Sequence, residues 1–362
     1  MGAASTKIIP IRWDDRKKEV VWLDNSQIPW KESYYSTKSI ARLCRAIKSL
    51  QIRGAPILGE AGAYGIALAA CNSPDSRDSI LRNARSQGAV ISSARPTAVN
   101  LSWGVNKIIS ALQSAHDSGA SATEMKSIAV FEAKRLQRDN ISATIKIGEN
   151  GKKLINDDDV LMTVCNAGTL ACDGIGTSTA PIRAAWAEGR RFKVLVTYTA
   201  PLYQGARLTA WELHKDGIPL SVITDNAAGH LIREEKVTAV WAGADRILSD
   251  GTVYNKIGTY ALGILMDYHG GKLYVAAPTS TIDPRSRPSE VRIEQREQEE
   301  VRRILGKVEV VPRGVSAMNP AFDRTPPELV SAIITELGVA RMPYNKSIKR
   351  MLSMAGSMAA SP

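Results

Sequence analysis

The sequence predicts an α/β protein in which a small N-terminal hairpin-plus-helical domain is followed by a doubly wound parallel-sheet domain. Three observations carry this. Helical spacing of apolar residues dominates the first third of the chain after an alternating start. From Asn156 onward, short apolar runs alternate with stretches of helical length, the pattern of a parallel sheet covered on both faces. The 362 residues, 44% hydrophobic and 23% charged, match an ordinary globular composition and suffice for one large or two average domains.

Each element has its own signal. Between Ile8 and Leu23 apolar residues alternate around the polar cluster Asp14 to Lys18, which reads as a two-stranded hairpin. Ile40, Leu43, Cys44, Ile47 and Leu50 recur at helical spacing with Arg42, Arg45 and Lys48 opposite. Further helices are expected over Pro56 to Cys71, over Pro96 to His116, and after a capping box formed by Ser121 and Glu124. The strands are expected at Val160 to Val164, Val194 to Val196, Leu220 to Ile223, Ala239 to Ala242, Leu273 to Ala276 and Val308 to Val311. The implied domains are 1–140 and 141–345, with a basic tail over 346–362 expected as a loosely held helix or frayed end.

Lys and Arg number 47 against 36 acids, a net charge of +11, which favours anionic partners. No helix-turn-helix, zinc or aromatic RNA-binding motif accompanies the charge, so nucleic acid is not the expected partner. No run approaches the roughly 18 apolar residues of a membrane span and no signal-peptide apolar region is present, which places the chain in the cytoplasm. Gly2 with Thr6 matches a myristoylation pattern only formally, because no strong second anchor follows. Cys44, Cys71, Cys165 and Cys172 form no CxxC pair and the four histidines are scattered, so neither disulfides nor a metal site is expected. Gly174-Ile175-Gly176-Thr177 lacks the third glycine and the later acid of a dinucleotide fingerprint, and no cofactor is expected.

In a doubly wound sheet, ligands bind beyond the carboxyl ends of the strands. There the sequence places Cys165 and Asn166, Gln204, Asp225 and Asn226, Asp245, and Ser280 with Asp283. Asp and Asn at such positions also serve simply as helix caps. Arg53-Gly54-Ala55-Pro56 and Arg95-Pro96-Thr97 each set an Arg beside a Pro-initiated helix, where free backbone N–H groups and the dipole favour phosphate. Cys165 ends a strand ahead of Asn166-Ala167-Gly168, where a helix N-terminus would lower its pKa, although an inert buried thiol is the commoner case. Asp245, behind Gly243 and Ala244, is expected in a poorly hydrated pocket that would raise its pKa and suit it to proton donation.

These residues fall within motifs by which the chain resembles the methylthioribose-1-phosphate isomerase family, whose relatives include ribose-1,5-bisphosphate isomerases and regulatory initiation-factor 2B subunits. The motifs are IRGAP (52–56), RPTAVNL (95–101), CNAG (165–168), QGARLTAWEL (204–213), ITDNAAG (223–229), GADRI (243–247), NKIGTY (255–260) and NPAFDRTPPEL (319–329). The resemblance implies a Rossmann-like fold without NAD, usually a homodimer. It implies Asp245 as proton donor and Cys165 as stabiliser or proton relay, with Arg53, Gly54, Ala55, Arg95, Gln204, Asn255 and Lys256 holding a phosphorylated sugar. Two departures stand out: Val164 where the family commonly has His, and Tyr198-Thr199-Ala200-Pro201 where it has Glu-Thr-Arg-Pro. They open the reading of a different pentose 1-phosphate, such as 5-deoxyribose 1-phosphate. A non-catalytic regulatory protein is the alternative from another class, against which retention of both Cys165 and Asp245 argues.

Overall fold

The computed structural model describes residues 8–359, with side chains to Ser353; Gly2 and Thr6 lie outside the described residues. The chain forms two compact units. One comprises residues 8–142 with Thr169–Gly174, the other Ala143–Gly168 with residues 175–359.

In the first unit, β1 (Ile11–Asp14) and β2 (Glu19–Leu23) form the expected hairpin. The Asp14 carboxylate closes its turn by accepting the backbone N–H groups of Arg16 and Lys17 at 3.1 and 3.0 Å. A third strand, β3 (Tyr34–Thr37), pairs with β2. The helices are α1 (Ile40–Lys48), α2 (Ala55–Cys71), α3 (Arg77–Ser92), α4 (Val99–Asp117) and α5 (Ala122–Gly151), with one short turn, α6 (Thr169–Cys172). Helix α2 is buried from Ile57 to Ala70, its Ala and Gly positions letting neighbouring helices approach closely. Ser121 and Glu124 cap α5 reciprocally, the Ser121 N–H donating to Glu124 at 2.7 Å and the Glu124 N–H to the Ser121 hydroxyl at 3.3 Å. The boundary between the units falls inside α5.

The second unit is built on a seven-stranded sheet. Its strands are β4 (Val160–Thr163), β5 (Lys193–Thr197), β6 (Leu220–Ile223) and β7 (Ala239–Ala242), followed after two strands of another sheet, β8 (Arg246–Leu248) and β9 (Val253–Lys256), by β10 (Lys272–Ala276). Helices α7 (Thr179–Ala187), α8 (Ala210–Lys215), α9 (Ala228–Glu234) and α10 (Thr259–Tyr268) lie between them in the chain. After β11 (Ile282–Asp283), α11 (Glu299–Arg302), β12 (Arg303–Ile304), β13 (Val308–Glu309) and β14 (Phe322–Thr325), the sheet is completed by β15 (Ala332–Thr335) and β16 (Gly338–Ala340), and α12 (Tyr344–Ala359) closes the described chain. The order is β16-β15-β10-β7-β4-β5-β6, parallel throughout except at β16. Alternation along the strands feeds two separate cores. Leu161, Trp241 and Tyr274 enter one, while Met162, Val240 and Val275 enter the other.

Three expectations are corrected. Val308 to Val311 does not join the parallel sheet: β13 pairs antiparallel with β12, and Val308 and Val310 are exposed. The place in the sheet belongs to β15, whose four residues are all buried. The third expected helix begins at Val99, because Arg95 to Ala98 forms a separate turn in which the Ala98 N–H donates to the Arg95 carbonyl at 2.9 Å. The basic tail is anchored at its start, with Tyr344, Ile348 and Met351 buried in the core and the Tyr344 hydroxyl donating to the Val330 carbonyl at 2.7 Å. Among the described residues, no helix is long and apolar enough to cross a membrane.

Candidate active site

The chain leaves β4 toward β5 and β6, then returns to β7 on the other side of β4. This reversal opens a crevice at the carboxyl ends of β4 and β7. The two strands are in register at Thr163 and Trp241, and the Thr163 hydroxyl donates to the Trp241 carbonyl at 2.8 Å. Cys165 therefore follows one lip of the crevice and Asp245 the other. The loops that carry them touch: a Cβ placed on Gly243 would stand 2.9 Å from the Cβ of Ala167, so only glycine allows this approach.

Cys165 is half-buried and adopts a left-handed conformation at φ 62°, uncommon for a residue with a side chain. The surroundings hold it there. Its N–H donates to the Thr199 hydroxyl at 2.7 Å, and its carbonyl accepts from the Thr209 hydroxyl at 2.6 Å. Asn166 is buried and donates to Glu212 at 2.8 Å. Glu212, itself without exposure, is paired with the buried Arg183 at 2.9 Å, and Arg183 also reaches Asp216 at 2.6 Å. Desolvation alone would push the Arg183 guanidinium down, but the two carboxylates more than offset it and its pKa is raised. Neither Arg183 nor Glu212 is singled out by sequence: they lie 29 positions apart, and although Glu212 falls within QGARLTAWEL nothing local ties it to Arg183.

Asp245 departs from expectation in one respect. It is exposed rather than sunk in a dry pocket, because it sits at the turn from β7 into β8, with its backbone N–H bonded to the Tyr254 carbonyl at 2.9 Å. The second sheet, ordered β11-β8-β9-β14, starts at the residue that follows it. Arg246 pairs with Tyr254, the residue whose carbonyl the Asp245 N–H also reaches, while Asn255 stands opposite Asp323. Asn255 is buried and donates to the Thr259 hydroxyl at 2.8 Å; the Lys256 ammonium lies 5.3 Å from the Phe322 ring centroid.

Asp323 was not singled out from sequence. Its Oδ2 accepts the Gly258 N–H at 2.7 Å, bracing the turn that follows Asn255 and Lys256. Burial pushes its carboxyl up from 3.8 to about 6, against the lowering pull of backbone N–H groups and Lys256. Between those two pH values the folded chain holds a proton that the unfolded chain has released, so stability from this group is lost as pH rises from about 4 to about 6. Urea unfolding of the parent and of Asp323→Asn over this range should give a stability difference that shifts in favour of the variant as pH rises. A difference that does not vary with pH would refute the assignment.

Gln204 is half-buried beyond β5, and its Oε1 is buried without a hydrogen-bond partner among the described residues. An orphaned acceptor of this kind is costly unless water or a ligand donor satisfies it. Asp225 and Asp283 serve the backbone instead. Asp225 accepts the N–H groups of Thr199 and Ala200 at 2.7 and 2.8 Å, while Asp283 caps a turn and pairs with Arg246 at 3.1 Å. Of the departures, Val164 is buried and apolar, and Tyr198 packs edge-to-face on Tyr203 with centroids 5.7 Å apart.

The remaining candidates lie in the first unit. Gly54 caps α2 at φ 94°, and a Cβ there would fall 2.4 Å from the Ala171 Cα, so both backbone angle and space require glycine. Pro56 occupies the first turn of α2, as expected of a helix start. Arg53, Ala55 and Arg95 are half-buried.

The profile of the Initiation factor 2 subunit family matches residues 51–342. A methylthioribose-1-phosphate isomerase from Koribacter versatilis is 42% identical over 346 residues, 94% of this chain and 96% of the relative. The crystal structure of 5-methylthioribose 1-phosphate isomerase from Pyrococcus horikoshii OT3 aligns with a TM-score of 0.90 at 32% identity, covering 96% of this chain and 97% of that one. The crystal structure of the translation initiation factor eIF-2B, subunit delta, from A. fulgidus aligns with a TM-score of 0.87 at 38% identity, covering 96% and 100%.

Proposed function

The chain belongs to the Initiation factor 2 subunit family, and from that premise we propose that it is an aldose–ketose isomerase. It converts 5-methylthioribose 1-phosphate to 5-methylthioribulose 1-phosphate in methionine salvage. The observation that carries this reading is the pairing of a thiol and a carboxyl, Cys165 and Asp245, on touching loops at the reversal point of the sheet. A purely regulatory protein has no need of that pair.

Phosphate blocks the anomeric carbon of the substrate, so the ring opens only if its oxygen is protonated as the C1–O bond breaks. Asp245 supplies that proton, and a bound sugar that covers its carboxyl would withdraw it from water and favour the protonated form. Hydrogen then passes from C2 to C1, as a hydride or as a proton through an enediol-like state beside Cys165. Loss of the O2 proton balances the one given to the ring oxygen. Gln204, Asn255 and Lys256 hold the sugar, and Arg53, Gly54, Ala55 and Arg95 its phosphate. Cys165 used as a thiol requires a reducing compartment, which fits the cytoplasm, and the family reading makes the protein a homodimer.

Val164 beside Cys165, and Tyr198 and Ala200 beside Thr199, favour a second reading within the same chemistry: another 5-substituted pentose 1-phosphate, such as 5-deoxyribose 1-phosphate. Likeness to the initiation-factor subunit keeps the non-catalytic alternative open to test. Incubating the protein with a panel of aldose 1-phosphates, followed by phosphorus NMR, should show a ketose 1-phosphate forming fastest from methylthioribose 1-phosphate. Preferred turnover of the deoxy sugar would transfer the assignment to it, and no turnover of any member would overturn both.

A further inference from the structure

Within the first unit, a pair of carboxyls is buried where the mechanism makes no use of it. Glu60 on α2 has no exposure, and Asp173, directly after α6, is 5% exposed. One amide brings them together: Asn140 Nδ2 holds Glu60 Oε1 at 2.6 Å and, at 2.8 Å, the carbonyl of Cys172, the residue before Asp173. Two carboxyls buried in one such frame are far less costly with a proton between them than as two anions. The other donors are accounted for. Asp173 accepts Gln137 Nε2 at 2.7 Å and the Gly174 N–H at 2.7 Å, and Glu60 Oε1 accepts Asn140 Nδ2 at 2.6 Å. Glu60 Oε2 is buried with no donor reaching it among the described residues. The oxygen that nothing donates to is the one best suited to carry the proton.

We infer that Glu60 and Asp173 share a single proton, held by Glu60, and that this neutral–anionic pair is a positioning pair for the turn Arg53-Gly54-Ala55. Two fastenings join α2 to α6. At the start of α2, Gly54 presses on the Ala171 backbone; less than two turns on, Glu60 donates to Asp173. Asn140 ties both ends from α5 by also donating to the Cys172 carbonyl at 2.8 Å. Gln137 completes the frame, bonding the Ile11 carbonyl at 2.8 Å and accepting from the Tyr64 hydroxyl. The titratable groups facing the pair are Tyr64 on α2 and, beyond it, Asp15 of the β1–β2 turn. Burial and the neighbouring Asp173 charge both hold Glu60 far above the usual carboxyl range, as a proton-sharing pair requires. One neutral and one charged member cost less to bury than two anions, and the pair fixes an angle that an apolar contact would leave loose.

The positioning role rests on the reading of Arg53-Gly54-Ala55 as a phosphate cradle; the shared proton does not. Infrared difference spectra of the full-length protein at pH 7 should show a carboxylic-acid C=O band that disappears in Glu60→Gln. That variant keeps a neutral donor toward Asp173 and should hold KM for the sugar 1-phosphate within about twofold. Glu60→Ala and Asp173→Ala should raise KM about tenfold while kcat changes far less, since misplacing a binding turn weakens binding without touching the reacting atoms. Absence of the acid band, or a Glu60→Gln variant as impaired in KM as Glu60→Ala, would overturn the inference. If the parent turns over no sugar phosphate, the functional reading fails while the infrared band still decides the shared proton.

Discussion

Asp245→Asn is expected to lower turnover of the aldose 1-phosphate by about a thousandfold while leaving the urea midpoint almost unmoved. An amide keeps the size and polarity of the side chain but cannot supply the acidic proton that opens the ring, and a positioned general acid typically contributes about 10²–10⁴ in rate. Because Asp245 is exposed, its replacement disturbs no core, and such surface changes usually stay within about 0.5 kcal/mol. Cys165→Ser should behave similarly. The left-handed backbone at Cys165 is imposed by bonds from its own N–H and carbonyl to Thr199 and Thr209, which serine leaves intact. Its hydroxyl, though, is a much weaker acid than a thiol. If thiol and carboxyl act as one unit, the double variant loses little more than the worse single one. Retention of more than a tenth of parental activity in Asp245→Asn would remove it from the chemistry.

Much of this architecture could be read from the residues, and the exceptions have physical causes. Ala239–Ala242 coincides with its expected strand because a dense apolar run bounded by polar residues has few other homes than the middle of a two-faced sheet, and Leu220–Ile223 coincides as an edge strand with Ser221 and Val222 exposed. Helix α3 escaped notice because its buried stripe, Ile80, Leu81, Ala84, Gly88 and Ile91, uses two small residues that weaken the periodic signal. Val308 to Val311 misled for the opposite reason: an apolar run reports affinity for burial, not burial, and here it is spent on an exposed hairpin. The sheet that sets Asn255 opposite Asp323 joins strands of three and four residues, one pairing spanning 68 positions, and nothing local announces that. At the candidate site, motif residues at strand ends were legible as a set. The roles of Asp225 and Asp283 as backbone caps and the exposure of Asp245 depend on which way each turn faces, which only the fold decides.

The second large effect is on stability, and it falls on residues that no motif marks as chemical. Glu212→Ala should cost about 3–5 kcal/mol in urea unfolding, because it leaves the Arg183 guanidinium buried against one remaining carboxylate, Asp216. The reciprocal Arg183→Met should cost a similar amount, now with Glu212 as the stranded charge. Removing both, as Arg183→Met with Glu212→Leu, should cost less than the sum, since the two fully buried ions go together and only the partly exposed Asp216 loses its partner. A strictly additive cycle, or a Glu212→Ala variant within about 1 kcal/mol of the parent, would show that the pair bears little of the fold's stability. The double variant also separates folding from function. Asn166 would then lose the Glu212 oxygen it bonds at 2.8 Å while keeping the Thr209 hydroxyl at 3.2 Å, so the residue next to Cys165 is held less firmly in a chain that is still folded. A folded double variant with reduced kcat is therefore the expected outcome. Full activity would mean that Thr199 and Thr209 alone suffice to hold the thiol in place.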